Sequence, residues 1–194
     1  MLIQIINSTT RNERFSERVA NWVVEYTRQY DGVDFEVVDL RDHPLPYFDG
    51  PSPMWTPGQH SRDDVARFAA TVDRADGYIM LAAEYNHGYP GVLKNAMDWT
   101  YQEWHRKPIS FVSWGNMGGT RSVEQLRQVA VEFEMAPLRH AVHILPDIYM
   151  KAIEKDVTDV SAFAPSEPWL KVLTDDLLWW TAALSKARGE RAGN

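Results

Sequence analysis

Apolar positions along the chain alternate between two periods, one of strands and one of helices. Leu2 to Ile6 is apolar with one polar break, the pattern of a buried strand. From Ser16 the spacing changes. Val19, Trp22, Val23, Tyr26 and Tyr30 recur at helical intervals and predict a helix ending near Asp31-Gly32. Phe35 to Leu40 is a second strand, rich in β-favouring residues. His43 to Gly58 holds five prolines and two glycines, which exclude regular structure. Ser61 is expected to cap the next helix, with Asp64 three residues on and Val65, Phe68, Ala69 and Val72 as its inner face. Tyr78 to Ala83 is almost uniformly apolar, as suits a central parallel strand covered on both faces. Gly91 to Tyr101 reads as a helix and Ile109 to Trp114 as a fourth strand. Gly118-Gly119 then breaks that strand from a helix carrying Val123, Leu126, Val129, Ala130 and Phe133. Ala141 to Leu145 is a fifth strand, and a last helix runs from Ser166, its cap, to Ala187, before a polar tail expected to fray.

Strands alternating with helices predict an α/β fold, with a parallel sheet and helices on both of its faces. Five strands suit the flavodoxin-like order 2-1-3-4-5 better than the six of a dinucleotide-binding domain. The 194 residues are read as one domain, 1–194, large enough for a full core without staples. A net charge of −7, without a basic stripe, argues against nucleic acid as a partner. The absence of cysteine excludes disulfides, thiolate metal sites and a cysteine nucleophile, and fits a cytoplasmic protein. The apolar start is too short for a signal peptide or a membrane span. Six scattered histidines, with His140 and His143 on a strand, give no metal-ligand spacing. Eight tryptophans suggest a ligand pocket or a subunit interface; the competing reading is an aromatic-rich core.

In open sheets of this kind, ligands bind beyond the carboxyl ends of the strands, where strand order reverses. Three loops fall at such ends. Ser8-Thr9-Thr10-Arg11-Asn12-Glu13-Arg14-Phe15-Ser16 offers hydroxyls, arginines and the free N–H groups of a helix start, an anion site or else a capped turn with solvated arginines. Ala83-Glu84-Tyr85-Asn86-His87-Gly88-Tyr89-Pro90-Gly91 is polar and aromatic directly after a buried strand. It suits a flat ring, or else packs on neighbouring helices. Gly115-Asn116-Met117-Gly118-Gly119 permits close backbone approach but is weak evidence by itself.

Together the three loops carry a resemblance. Ser8-Thr9-Thr10-Arg11 resembles the G-S-T-R turn of the NAD(P)H-dependent FMN reductase family. Glu84-Tyr85-Asn86, followed by Gly88 to Trp99, is very similar to that family's P-E-Y-N…P-G-x-L-K-N-A-I-D-W signature, and Ser113 to Gly119 resembles its third loop. The likeness runs in order from Met1 to about Leu145. Ser8 stands where the family usually has Gly, and Ala83 where it has Pro. The resemblance implies a flavodoxin-like fold, a homodimer or homotetramer, and one FMN per subunit. It assigns the FMN phosphate to Thr9, Arg11 and Ser16 with backbone help from Phe15. It assigns the ring to Glu84, Tyr85 and Asn86, largely through main chain, flanked by Trp114, Gly115 and Gly118.

The chemistry that follows is hydride transfer from NADPH or NADH to the flavin, then onward to a small-molecule acceptor such as a quinone, an azo compound or free flavin. The cofactor carries the redox step and the protein orients it, so no catalytic side chain is named. The competing readings are a flavodoxin-type electron carrier reduced by a protein partner, and a binding module without turnover. Arg14 and Arg121 are candidates for a ribose 2′-phosphate, or are simply solvated. The last helix carries Trp169, Leu170, Leu173, Leu177, Leu178, Trp179, Trp180 and Leu184, a stripe wider than one sheet face needs. Part of it is expected to bury against another subunit.

Overall fold

The computed structural model describes residues 1–192. In chain order it comprises β1 (Leu2–Asn7), α1 (Ser16–Thr27), β2 (Asp34–Asp39), α2 (Asp63–Asp73), β3 (Gly77–Ala83), α3 (Gly91–Asp98), β4 (Pro108–Trp114), α4 (Thr120–Glu132), β5 (Ala136–Ile144), α5 (Pro146–Ile153) and α6 (Glu167–Ala192). Short 3-10 turns at Gln102–Trp104 and Val160–Ser166 precede β4 and α6. The strands form one parallel sheet in the order β2-β1-β3-β4-β5. This is the expected flavodoxin-like α/β architecture.

Every residue of β3 and β4 is buried, which is why β3 reads as a nearly uniform apolar run, while β4 buries Ser110 and Ser113 among its apolar residues. One face of the sheet is covered by α1, α5 and α6 through Val19, Trp22, Ile148, Leu170, Leu173 and Leu177, with Phe163 stacked on Trp22 at 4.9 Å. The other is covered by α2, α3 and α4 through Phe68, Leu93, Met97, Val123 and Leu126.

The ends of several elements differ from the sequence reading, each for a local reason. α1 stops at Thr27, where Tyr30 N–H bonds the Thr27 carbonyl in a tighter turn, although the Tyr30 ring still packs on Phe35. Ser61 does not cap α2. Arg62 occupies that position in extended conformation, and the Asp64 carboxylate accepts from the Val65 N–H and from Arg62 instead. α3 ends at Asp98, not Tyr101, because Thr100 N–H turns back to Met97 and Tyr101 N–H is taken by the Glu103 carboxylate. β5 starts five residues earlier than Ala141, its Pro137 tolerated on an edge strand. α5 was not anticipated; it opens on Pro146, whose missing N–H costs nothing at a first helical position. Ser166 closes a 3-10 turn and α6 begins at Glu167, continuing to Ala192; the rest of the expected frayed tail, 193–194, lies outside the described residues.

Candidate functional site

Strand order reverses between β1 and β3: β1 leads to α1 on one face, and β3 to α3 on the other. Asn7 is in register with Leu81, and Ala83 with Trp114, so the turns that follow β1, β3 and β4 leave neighbouring strand ends at one rim. They are tied to one another. Ser8 Oγ donates to the Leu81 carbonyl, and Glu84 N–H donates to the Trp114 carbonyl at 2.9 Å.

The first turn has its backbone sorted by direction. Arg14 donates to the Thr9 carbonyl, while Arg41, at the end of β2, donates to the carbonyls of Thr10 (3.3 Å) and Arg11. Among the described residues, the N–H groups of Thr10, Arg11, Asn12, Glu13, Phe15 and Ser16 meet no protein acceptor, while the turn at residues 12–13 points the Arg14 N–H back toward the Arg11 carbonyl. Glu13 has φ +49°, which gives the turn the left-handed step found in anion-binding nests. Thr9 Oγ1 and Ser16 Oγ lie 2.7 Å apart, both buried, at the start of α1. The Arg11 side chain is exposed. Phe15 is buried, its ring 4.3 Å from Tyr149 and 5.9 Å from Trp114, so toward any ligand it offers backbone alone.

Arg14 is neither solvated nor free for a ribose phosphate. Its side chain is 4% exposed, bonded to both oxygens of Asp39 and, at 3.1 Å, to Glu17. Burial alone would lower the Arg14 pKa and raise that of Asp39. The bonds between them more than offset this, so Arg14 lies above its ordinary range and Asp39 below its own.

The second turn is a tight reversal. Tyr85 and Gly88 exchange both backbone hydrogen bonds, at 2.8 and 3.0 Å, across Asn86 (φ +50°) and His87 (φ +71°). Positive φ at both central residues is the signature of a type I′ turn. Gln125 of α4 donates to the His87 carbonyl at 2.9 Å, and Tyr85, Asn86 and His87 are exposed at the tip. Glu84 differs in kind: its side chain is 4% exposed and is clamped by Arg121 from the first turn of α4. Arg121 is thus engaged by Glu84 rather than simply solvated.

The third turn needs its glycines. A Cβ on Gly115 would lie 2.8 Å from Glu84 Cβ, and one on Gly118 would lie 3.0 Å from His143 Cβ. Beneath the turn, Ser113 Oγ donates to the Gly118 carbonyl at 2.7 Å and lies 2.8 Å from His143 Nδ1. Burial holds the His143 pKa below its ordinary value, favouring a neutral ring. The Trp114 side chain is buried against Phe15, so it supports the rim from below.

All ten candidate residues therefore lie on, or directly beneath, three turns at one rim. Arg41, Asp39, Glu17 and Gly119 join them without having been singled out as site residues, and Arg121, a candidate for a ribose phosphate, braces Glu84 instead. A cavity of about 260 Å³ lined in part by Thr10, Arg41, His43 and Val92 borders the first turn. A larger one, about 410 Å³, opens at the opposite ends of the strands beside Asp76 and Lys107, away from the reversal of strand order. Among the described residues there is no cluster of three or more potential metal ligands, and no helix is long and apolar enough to cross a membrane.

Comparison with known proteins agrees with this placement of the fold. The model of the family "NADPH-dependent FMN reductase" matches residues 1–147. An NAD(P)H-dependent FMN reductase of Schizosaccharomyces pombe is 32% identical over 154 residues, 78% of this chain and 77% of that protein. One from Saccharomyces cerevisiae is 30% identical over 139 residues, 66% and 73% of the two chains. The solved structure of FerB, a flavoenzyme NAD(P)H:(acceptor) oxidoreductase from Paracoccus denitrificans, superposes with a TM-score of 0.70 over 94% of this chain and 97% of its own. At 17% identity that likeness speaks for the fold alone. The chain belongs to the NADPH-dependent FMN reductase family, as an oxidoreductase of the NAD(P)H-dependent FMN and quinone reductase type.

Proposed function

We propose that this protein binds FMN across the three turns and uses NADPH or NADH to reduce a small acceptor, with quinones the leading class. The observation that carries the reading is the set of unspent N–H groups at Thr10, Arg11, Asn12, Glu13, Phe15 and Ser16, at a helix start beside the Thr9 and Ser16 hydroxyls. Such a donor set fits a phosphate dianion, with Arg11 free to add charge from solvent and Phe15 contributing its N–H. Glu84, Tyr85 and Asn86 would meet the polar edge of the ring through main chain. Trp114, Gly115 and Gly118 would flank it, the glycines letting backbone approach a flat surface.

When bound, FMN supplies the two-electron chemistry, accepting hydride from the nicotinamide and delivering it to the acceptor. The protein's work is positional. The Glu84–Arg121 clamp ties the second turn to the start of α4, the Tyr85–Gly88 reversal fixes its tip, and the partly buried Ser113–His143 pair fixes the third turn. No side-chain acid or base is assigned. One open face serving both substrates implies alternating occupancy and ping-pong kinetics. The quinone class is supported by an NAD(P)H:quinone oxidoreductase of Solanum tuberosum, 30% identical over 64% of this chain and 61% of its own. A homodimer or homotetramer is supported by the exposed stripe of Trp169, Val172, Trp179 and Trp180 on α6.

The test is direct. The purified protein should carry or take up a yellow flavin, and should oxidise NADPH or NADH rapidly once a benzoquinone is added in air. Bound flavin without nicotinamide oxidation would favour an electron carrier. Failure to take up FMN after reconstitution would leave a fold without this chemistry.

A further inference from the structure

The peptide groups of the first turn are oriented by two arginines that belong to none of the residues assigned to FMN. In a trans peptide the carbonyl and the following N–H point in opposite directions. Pinning the carbonyls of Thr9, Thr10 and Arg11 therefore turns the N–H groups of Thr10, Arg11 and Asn12 away from the guanidinium groups, as a set. Both arginines are themselves fixed. Arg14 is locked by both oxygens of Asp39, while Arg41 bonds Glu17 at 2.7 Å through its side chain and Asp39 at 2.9 Å through its own N–H. Glu17 accepts from both arginines, so the two are joined into one scaffold spanning the ends of β1, β2 and α1. Positive charge behind a carbonyl also polarises the N–H on the far side of the same peptide and makes it a stronger donor.

We infer that Arg41 is a positioning residue for the phosphate of the cofactor: it makes the turn selective for phosphorylated over unphosphorylated flavin without touching either. This rests on the reading of the turn as a phosphate site and adds the residue that sets its selectivity. Arg41 suits a test better than Arg14. Its side chain is 34% exposed at the end of an edge strand, so truncation leaves no buried charge, whereas Arg14→Ala would strand Asp39.

The experiment compares FMN with riboflavin, which keeps the ring and lacks the phosphate, by fluorescence titration of flavin-free full-length protein. In Arg41→Ala the dissociation constant for FMN should rise about tenfold or more, the effect of losing charge-assisted order at the donor set. That for riboflavin should stay within about twofold, and the thermal midpoint of the flavin-free protein should hold. Arg41→Lys, able to hold one carbonyl but not two, should restore part of the preference. Equal losses for the two flavins, or an intact FMN preference in Arg41→Ala, would overturn the role of Arg41. A wild-type protein that binds neither flavin, or both alike, would overturn the phosphate reading of the turn and this inference with it.

Discussion

Gly119 has the tightest requirement of any residue at the rim. Its φ is +78°, and a methyl group there would lie 2.7 Å from Ser113 Cβ and from Trp114 N, atoms of a buried strand that cannot swing aside. Gly119→Ala combines backbone strain with overpacking, and should cost at least about 2 kcal/mol in a denaturant titration. A loss below about 0.5 kcal/mol would mean that the third turn is softer than its geometry implies. At this scale the sequence was partly legible. Thr9 and Ser16 could be placed on one turn because they bracket the step from a strand to a helix, and their hydroxyls meet there at 2.7 Å. Arg14 and Arg41 could not, because the direction of a guanidinium depends on Asp39 and Glu17, whose proximity only the pairing of β1 with β2 creates. Glu84 was recognised by type but not by role: its carboxylate faces Arg121, so its side chain braces the rim.

Among the elements, α6 shows most plainly how a broad apolar stripe divides. Leu170, Leu173 and Leu177 are fully buried on the sheet, while Trp169 and Trp179 are 64% and 66% exposed. The two sets should respond oppositely to substitution. Leu173→Ala should cost about 2–5 kcal/mol, the usual range for a buried leucine. Trp179→Ser should leave the stability of the isolated subunit within about 0.5 kcal/mol. If the outer stripe is a subunit contact, the same change should shift sedimentation toward smaller species; identical sedimentation of variant and wild type would remove Trp179 from any such contact. The existence of long elements was legible because periodicity integrates over many residues. Their ends were not, because termination at Asp98 depends on Glu103 capturing the Tyr101 N–H, and α5 has too few turns to show a period.

Across the whole molecule, the strand order and the meeting of three turns at one rim were foreseeable from the alternation of strands and helices. The amino ends of the strands were not, because their chemistry turns on burial. There Lys107 is 5% exposed, its ammonium donating to the carbonyls of Asp73 and Glu103 at 2.7 and 2.6 Å. Burial pulls its pKa from 10.5 down to about 8, despite the opposing charge of Asp73. Between those values the unfolded chain keeps a proton that the folded one releases. The contribution of Lys107 is therefore greatest above pH 10.5 and is lost as pH falls toward 8. Burial raises Tyr78 and Tyr30, so their contribution is present below pH 10 and is lost above it. Stability measured by denaturant should rise from pH 8 to about 10 and then turn over, and Lys107→Met should abolish the rise; a flat wild-type profile would contradict this account.

The seven residues of β3 separate that lysine's neighbourhood from the Glu84 turn. At about 3.3 Å per residue they hold the two regions some ~20 Å apart, with no shared partners, a distance over which substitution energies normally add. Thermostability can thus be engineered at the amino ends as an independent variable, leaving the three-turn rim at the other end of the sheet to be tuned on its own.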